Sequence, residues 1–146
     1  MTSMSNVLTS DNGKDFQFGT KAETLLRISD ILKRSKTLEL IIVHIGEWLK
    51  NSDKCIDVIQ HSFGERSIAV RSSAKNEDNN INSRAGEYMS ILHVSCADRL
   101  EISDAINAVK NSYIGRLTSN IEEEHILVQE MARDVDVSGV VFTQEL

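Results

Sequence analysis

"AVRSSAKNEDNNINSRAGEYMSILHV", residues 69–94, decides how this chain is read. An apolar strand pattern runs into Arg71, gives way to a polar stretch over 72–86, and returns to a strand through Ser83, Arg84, Ala85 and Gly86. An Arg ending an apolar strand can project into a cleft and grip phosphate oxygens in bidentate fashion. Small side chains at Ser83, Ala85 and Gly86 let backbone approach a ligand closely. The same residues also suit an ordinary polar connection, with Arg71 in a surface ion pair to Glu77 or Asp78.

On either side, helical and strand patterns alternate. Leu25, Leu26, Ile28, Ile31 and Leu32 recur at helical spacing from Thr20, with Lys33 and Arg34 closing the last turn. LELIIVHI (38–45) is dense and β-branched, the pattern of a buried strand. A turn follows, then a cap at Ser52 or Asp53 and a helix through Ile56, Ile59 and Phe63 that stops at Gly64. SIAVRSS and YMSILHV read as strands around the polar stretch. A third helix carries Leu100, Ile102, Ile106, Val109 and Tyr113 on its apolar side. HILVQEM reads as another strand, and DVDVSGVVFT opens a last one. The expected class is α+β, with an α/β-like alternation of elements.

Composition narrows the function. The 146 residues carry 40% hydrophobic and 26% charged side chains, the balance of one soluble domain. No run approaches the roughly 18 apolar residues of a membrane span, and the polar start lacks the order of a secretory signal. A cytoplasmic protein without a membrane partner is expected. A formal charge of −6, with Lys and Arg scattered, disfavours general nucleic-acid binding, which needs a basic face. Cys55 and Cys96 form no CxxC pair and read as reduced, buried thiols. His44, His61, His93 and His125 stand apart in sequence, so no metal site is expected.

Two further stretches can carry chemistry. In FGTKAETLL (18–26), Gly19 and Lys21 stand at a helix start, where N–H groups and an ammonium can meet an anion. A Lys there is also commonly just solvated. In 126–143, a strand turning polar at Gln129 and Glu130 can set backbone beside an adenine edge, with Met131 over its face. The plainer reading is a core strand with a polar, exposed end.

Together, "GTKAETL", "IAVRSSAKNED…SRAGEYMSILHV", "DAINAVKNSY", "ILVQEM" and "DVSGVVFT" resemble, in order and spacing, the N-terminal ATP-binding region of phosphoenolpyruvate synthases and pyruvate phosphate dikinases. The resemblance covers about residues 18–143. It implies a partial ATP-grasp fold, the N-terminal nucleotide-binding lobe, over 18–146, with 1–17 as a flexible leader. The full enzymes of that family pass a phosphoryl group from ATP to a carrier histidine on a mobile domain.

By the same resemblance, Lys21 and Arg71 hold ATP phosphates, Gly86, Ser90 and Ile91 lie over the nucleotide, and Gln129 sits at the adenine hinge. The positioning and charge neutralisation that phosphoryl transfer demands suit this set. Two departures from the family pattern stand out. Gly19–Thr20 stands where GG or GN is common before the Lys, and Ser90–Ile91 replaces Thr and an aromatic.

The resemblance stops where the second lobe, with its Mg²⁺ ligands, is expected to begin, and the phosphohistidine domain is expected to be missing as well. The chain is therefore expected to bind ATP weakly and to turn nothing over alone. It would be a truncated product, or one subunit of a split enzyme whose partner chain brings the missing parts. A non-catalytic interaction module is the other reading. An open sheet edge at 137–143 is expected to drive self-association.

Overall fold

The computed structural model describes residues 16–74, 89–114 and 120–139. The expected leader up to residue 15, the loop residues 75–88 with Gly86, Glu77 and Asp78, and 140–146 lie outside them. Four strands form one sheet: β1 (Leu40–His44), β2 (Ser67–Ser73), β3 (Ser90–Ser95) and β4 (His125–Glu130), in spatial order β1-β4-β2-β3. Every pairing is antiparallel. The architecture is therefore α+β, mixed helix and antiparallel sheet, and the alternation seen in sequence does not produce a parallel sheet.

The helices are α1 (Lys21–Ser29), α2 (Ile45–Lys50), α3 (Ser52–Phe63) and α4 (Arg99–Asn111), with a single 3₁₀ turn at Ile121–Glu123. Strand side chains alternate between faces, and the two faces have different occupants. Ile68, Val70, Val94, Ile126 and Val128 join Trp48, Ile56, Ile59, Phe63, Ile102, Ile106 and Val109 in one buried core. That face is covered by α2, α3 and α4. Ala69 and Leu127 are buried on the opposite face, outside that core, where α1 packs near β1 and β4.

β3 reaches this core by an irregularity. Ile91 faces Val70 and Val94 faces Ile68, and between them the register shifts by one residue. The extra residue lets two side chains three apart both point inward, which simple alternation forbids. His93, in the bulge, takes a φ of 59°.

Several boundaries differ from the sequence reading. The first helix ends at Ser29 rather than Arg34, and both Ile31 and Leu32 turn back to the Ile28 carbonyl. Ile31 and Leu32 are exposed, so the apolar spacing there fed no buried face. The 38–45 strand is shorter, because Ile45 begins α2 and donates its N–H to the Glu124 carbonyl. Asn51, not Ser52 or Asp53, caps α3, its side chain accepting the Lys54 N–H. Leu100 is 69% exposed, whereas Ile102, Ile106, Val109 and Tyr113 are fully buried. Cys96 is buried as expected, but Cys55 is only half-buried. Residues 134–139 form no strand, so the described part of the expected open edge, 137–139, presents none. No helix among the described residues is long and apolar enough to cross a membrane.

Candidate functional site

The face beneath α1 gathers most of the residues singled out in sequence. Arg71 lies on β2 opposite Ser90 on one side and Leu127 on the other, while Gln129 lies opposite Ala69. Arg71, Ser90 and Gln129 therefore share one face. Lys21 is the first residue of α1, whose N-terminus is anchored at the Ser73 end of the same face. Ile91 does not join them: it packs against the core on the opposite face. Gly86 lies outside the described residues.

Arg71 is half-buried, and none of the described residues hydrogen-bonds or ion-pairs with its guanidinium. Removing a cation from water without an anion is costly, so such a group is suited to receive one. Most other arginines of the described region that could compete for that role are engaged. Arg66 pairs with Glu39 at 2.8 Å and Glu130 at 3.0 Å and lies over the Phe63 ring. Arg99 bridges to Asp53 and Asp57.

The start of α1 is built by local chemistry. The Thr20 hydroxyl accepts the Glu23 N–H, and the Glu23 carboxylate accepts the Thr20 N–H at 2.8 Å, a reciprocal capping box. That backbone bond from Thr20 holds the Glu23 carboxyl below its ordinary value, against a partial opposing effect of burial; His125 and Arg27 act in the same lowering direction. A Cβ at Gly19 would meet the Glu23 carboxylate, so a larger residue there would displace the capping side chain. Thr20 thus supplies a helix cap that Gly would lack.

Sequence reasoning missed the residues that dock this helix. The Ser73 hydroxyl accepts the Ala22 N–H at 2.9 Å, and Thr20 Oγ1 lies 3.4 Å from His125 Nδ1. The Tyr113 hydroxyl accepts the Ser73 N–H at 2.8 Å and donates to the His125 carbonyl at 2.6 Å. Tyr113 was legible only as a core residue of α4. The strand register also sets His44 against His125, with ring centroids 4.5 Å apart and edge to face, although the two are 81 positions apart in sequence. Even so, no group of three or more His, Cys, Asp or Glu among the described residues could hold a metal ion.

A separate groove of about 290 Å³ lies between β1 and the α2–α3 pair, lined by Ile41, Val43, Lys54, Cys55 and Val58 among others. None of the residues marked by the resemblance lines it.

Comparison with known families gives one match. The model of the pyruvate phosphate dikinase AMP/ATP-binding domain matches residues 28–146. Arg71, Gly86, Ser90, Ile91 and Gln129 fall inside the match, and Lys21 precedes it. No curated protein and no solved structure matches the chain. The chain belongs to the family of the pyruvate phosphate dikinase AMP/ATP-binding domain.

Proposed function

We propose that this chain binds ATP on the sheet face shared by Arg71, Ser90 and Gln129, with Lys21 at the start of α1 as a second cation. In this reading it is the N-terminal lobe of an ATP-grasp arrangement, in a cytoplasmic phosphotransferase of the phosphoenolpyruvate synthase or pyruvate phosphate dikinase type. The single observation that carries it is Arg71: half-buried, without a described partner, and on the same face as Gln129. Guanidinium binds phosphate bidentately, Ser90 offers a hydroxyl beside it, and Gln129 offers an amide to the adenine edge. In the full enzyme one phosphoryl group of ATP would pass to a carrier histidine supplied by another domain or chain, with AMP and phosphate as the other products.

Magnesium is part of the expected chemistry, as the partner of the nucleotide's phosphates. Among the described residues no cluster of three or more His, Cys, Asp or Glu is placed to hold it. The work of these residues is electrostatic: Arg71 and Lys21 offset phosphate charge and fix its position.

Calorimetric titration of Mg-ATP into the wild-type chain and into Arg71→Ala tests this. Binding that weakens by about 10–100-fold in the variant is expected, from a charge-assisted contact worth about 1.5–3 kcal/mol. Equal binding by both proteins, or none by a folded wild type, would overturn the assignment.

A further inference from the structure

Lys21 and Arg71 come from elements far apart in sequence, and a buried hydrogen-bonded chain joins those elements. Ser73 stands two residues after Arg71 on β2, on the same face. Its hydroxyl accepts the N–H of Ala22, the residue that follows Lys21 and the second of α1. Its own N–H is taken by the Tyr113 hydroxyl, which in turn donates to the His125 carbonyl on β4. Ser73 and Tyr113 are fully buried, and His125 is 6% exposed.

The chain has a clear physical consequence. The first N–H groups of a helix lack partners within it. Here Thr20 serves Glu23 and Ser73 serves Ala22, so one orphan donor is satisfied by the strand that carries Arg71. The helix start is thus pinned to β2 at a point adjacent to Lys21. Tyr113, just beyond the end of α4, fixes the Ser73 backbone from the other side. Buried, satisfied networks of this kind hold one geometry, because each broken bond would leave a polar group unpaired in a low-dielectric setting.

We propose that Ser73, held by Tyr113, is a positioning residue that sets the spacing of Lys21 from Arg71 and so tunes the site for a nucleotide with several phosphates. This rests on the ATP-site reading above. Ser73 touches no phosphate in it; the residue acts through the placement of Lys21. A triphosphate that spans both cations depends on their separation, whereas a monophosphate engaging one does not.

The test is titration of Mg-ATP and of AMP into wild type, Ser73→Ala and Tyr113→Phe, with thermal melting of each protein alongside. The expected result is an Mg-ATP affinity about tenfold lower in Ser73→Ala, the scale of one hydrogen bond's contribution, with AMP affinity changed less than about twofold. Tyr113→Phe, which keeps the ring and removes the hydroxyl, is expected to lower the same ATP-to-AMP ratio and carries the test should Ser73→Ala fold poorly. A wild-type ATP-to-AMP ratio in both variants, with only a lower melting temperature, would show a purely structural role and overturn the proposal. Wild type that binds neither nucleotide would instead overturn the ATP-site reading on which the proposal stands.

Discussion

Arg71 and Gln129 are diagonal neighbours on adjacent antiparallel strands: Arg71 faces Leu127, and Gln129 is two residues further along β4, facing Ala69. Diagonal neighbours of this kind lie about 7–8 Å apart. A guanidinium and a carboxamide are thereby presented from one face of a rigid sheet, which is a more exact support than two loops can give. The chemistry expected of the site depends on that shared face.

The fork of Arg71 is expected to matter beyond its charge. Arg71→Lys keeps the cation but loses the planar, bidentate donor set. Mg-ATP binding is expected to fall between that of wild type and Arg71→Ala, and stability to change by no more than about 0.5 kcal/mol. Binding by Arg71→Lys equal to wild type, measured by calorimetry, would argue for a point charge alone.

Glu23 makes the start of α1 sensitive to acid. Its folded-state pKa lies below the ordinary value, so its charge-dependent contribution is fully present above that ordinary value. The contribution is lost as pH falls through the ordinary range, about 4.3, toward the lowered folded value. Glu23→Gln keeps the shape without the charge. Melting temperatures across pH 7 to 3, a range of about four units around that transition, are expected to show wild type more stable at neutral pH and the gap closing in acid. A gap independent of pH would contradict the assignment.

Gly64 ends α3 with φ of 61° and ψ of −124°, a conformation open to Gly and costly for other residues. No atom stands within 4 Å of where a Cβ would be, so the cost of Gly64→Ala is backbone strain alone. Denaturant unfolding is expected to show a loss of about 1–3 kcal/mol with nucleotide binding unchanged. An unaltered midpoint would mean that the turn relaxes freely.

Ile102 and Leu100 separate periodicity from burial. Both belong to the apolar side read for α4, yet Ile102 is fully buried and Leu100 is 69% exposed. Ile102→Ala is expected to cost about 2–5 kcal/mol by leaving a cavity, and Leu100→Ala to stay within about 0.5 kcal/mol. Similar costs in urea unfolding would place Leu100 in a buried contact.

Much was legible in the chain itself. SIAVRSS has the bounds of β2, Gly64 ends α3, and the position of Arg71 beside a polar stretch is written in the order of residues. These are local facts, set by side-chain periodicity and by the backbone freedom of Gly. Periodicity failed where an element ended for non-local reasons. α1 stops at Ser29 although apolar spacing continues, and Ile45 leaves β1 to start a helix whose first N–H bonds Glu124.

What only tertiary structure decided is which residues meet. Ser90 and Ile91 are neighbours in sequence, yet pairing with β2 turns Ser90 toward Arg71 and Ile91 into the core. The bulge at His93 then keeps Val94 inside as well. The Ser73–Ala22 bond and the Tyr113 bridge join segments 51 and 40 residues apart. Composition and spacing fix the tendency of each segment. Strand register is fixed by packing against partners far along the chain, and it is register that places Arg71, Ser90 and Gln129 on one sheet face.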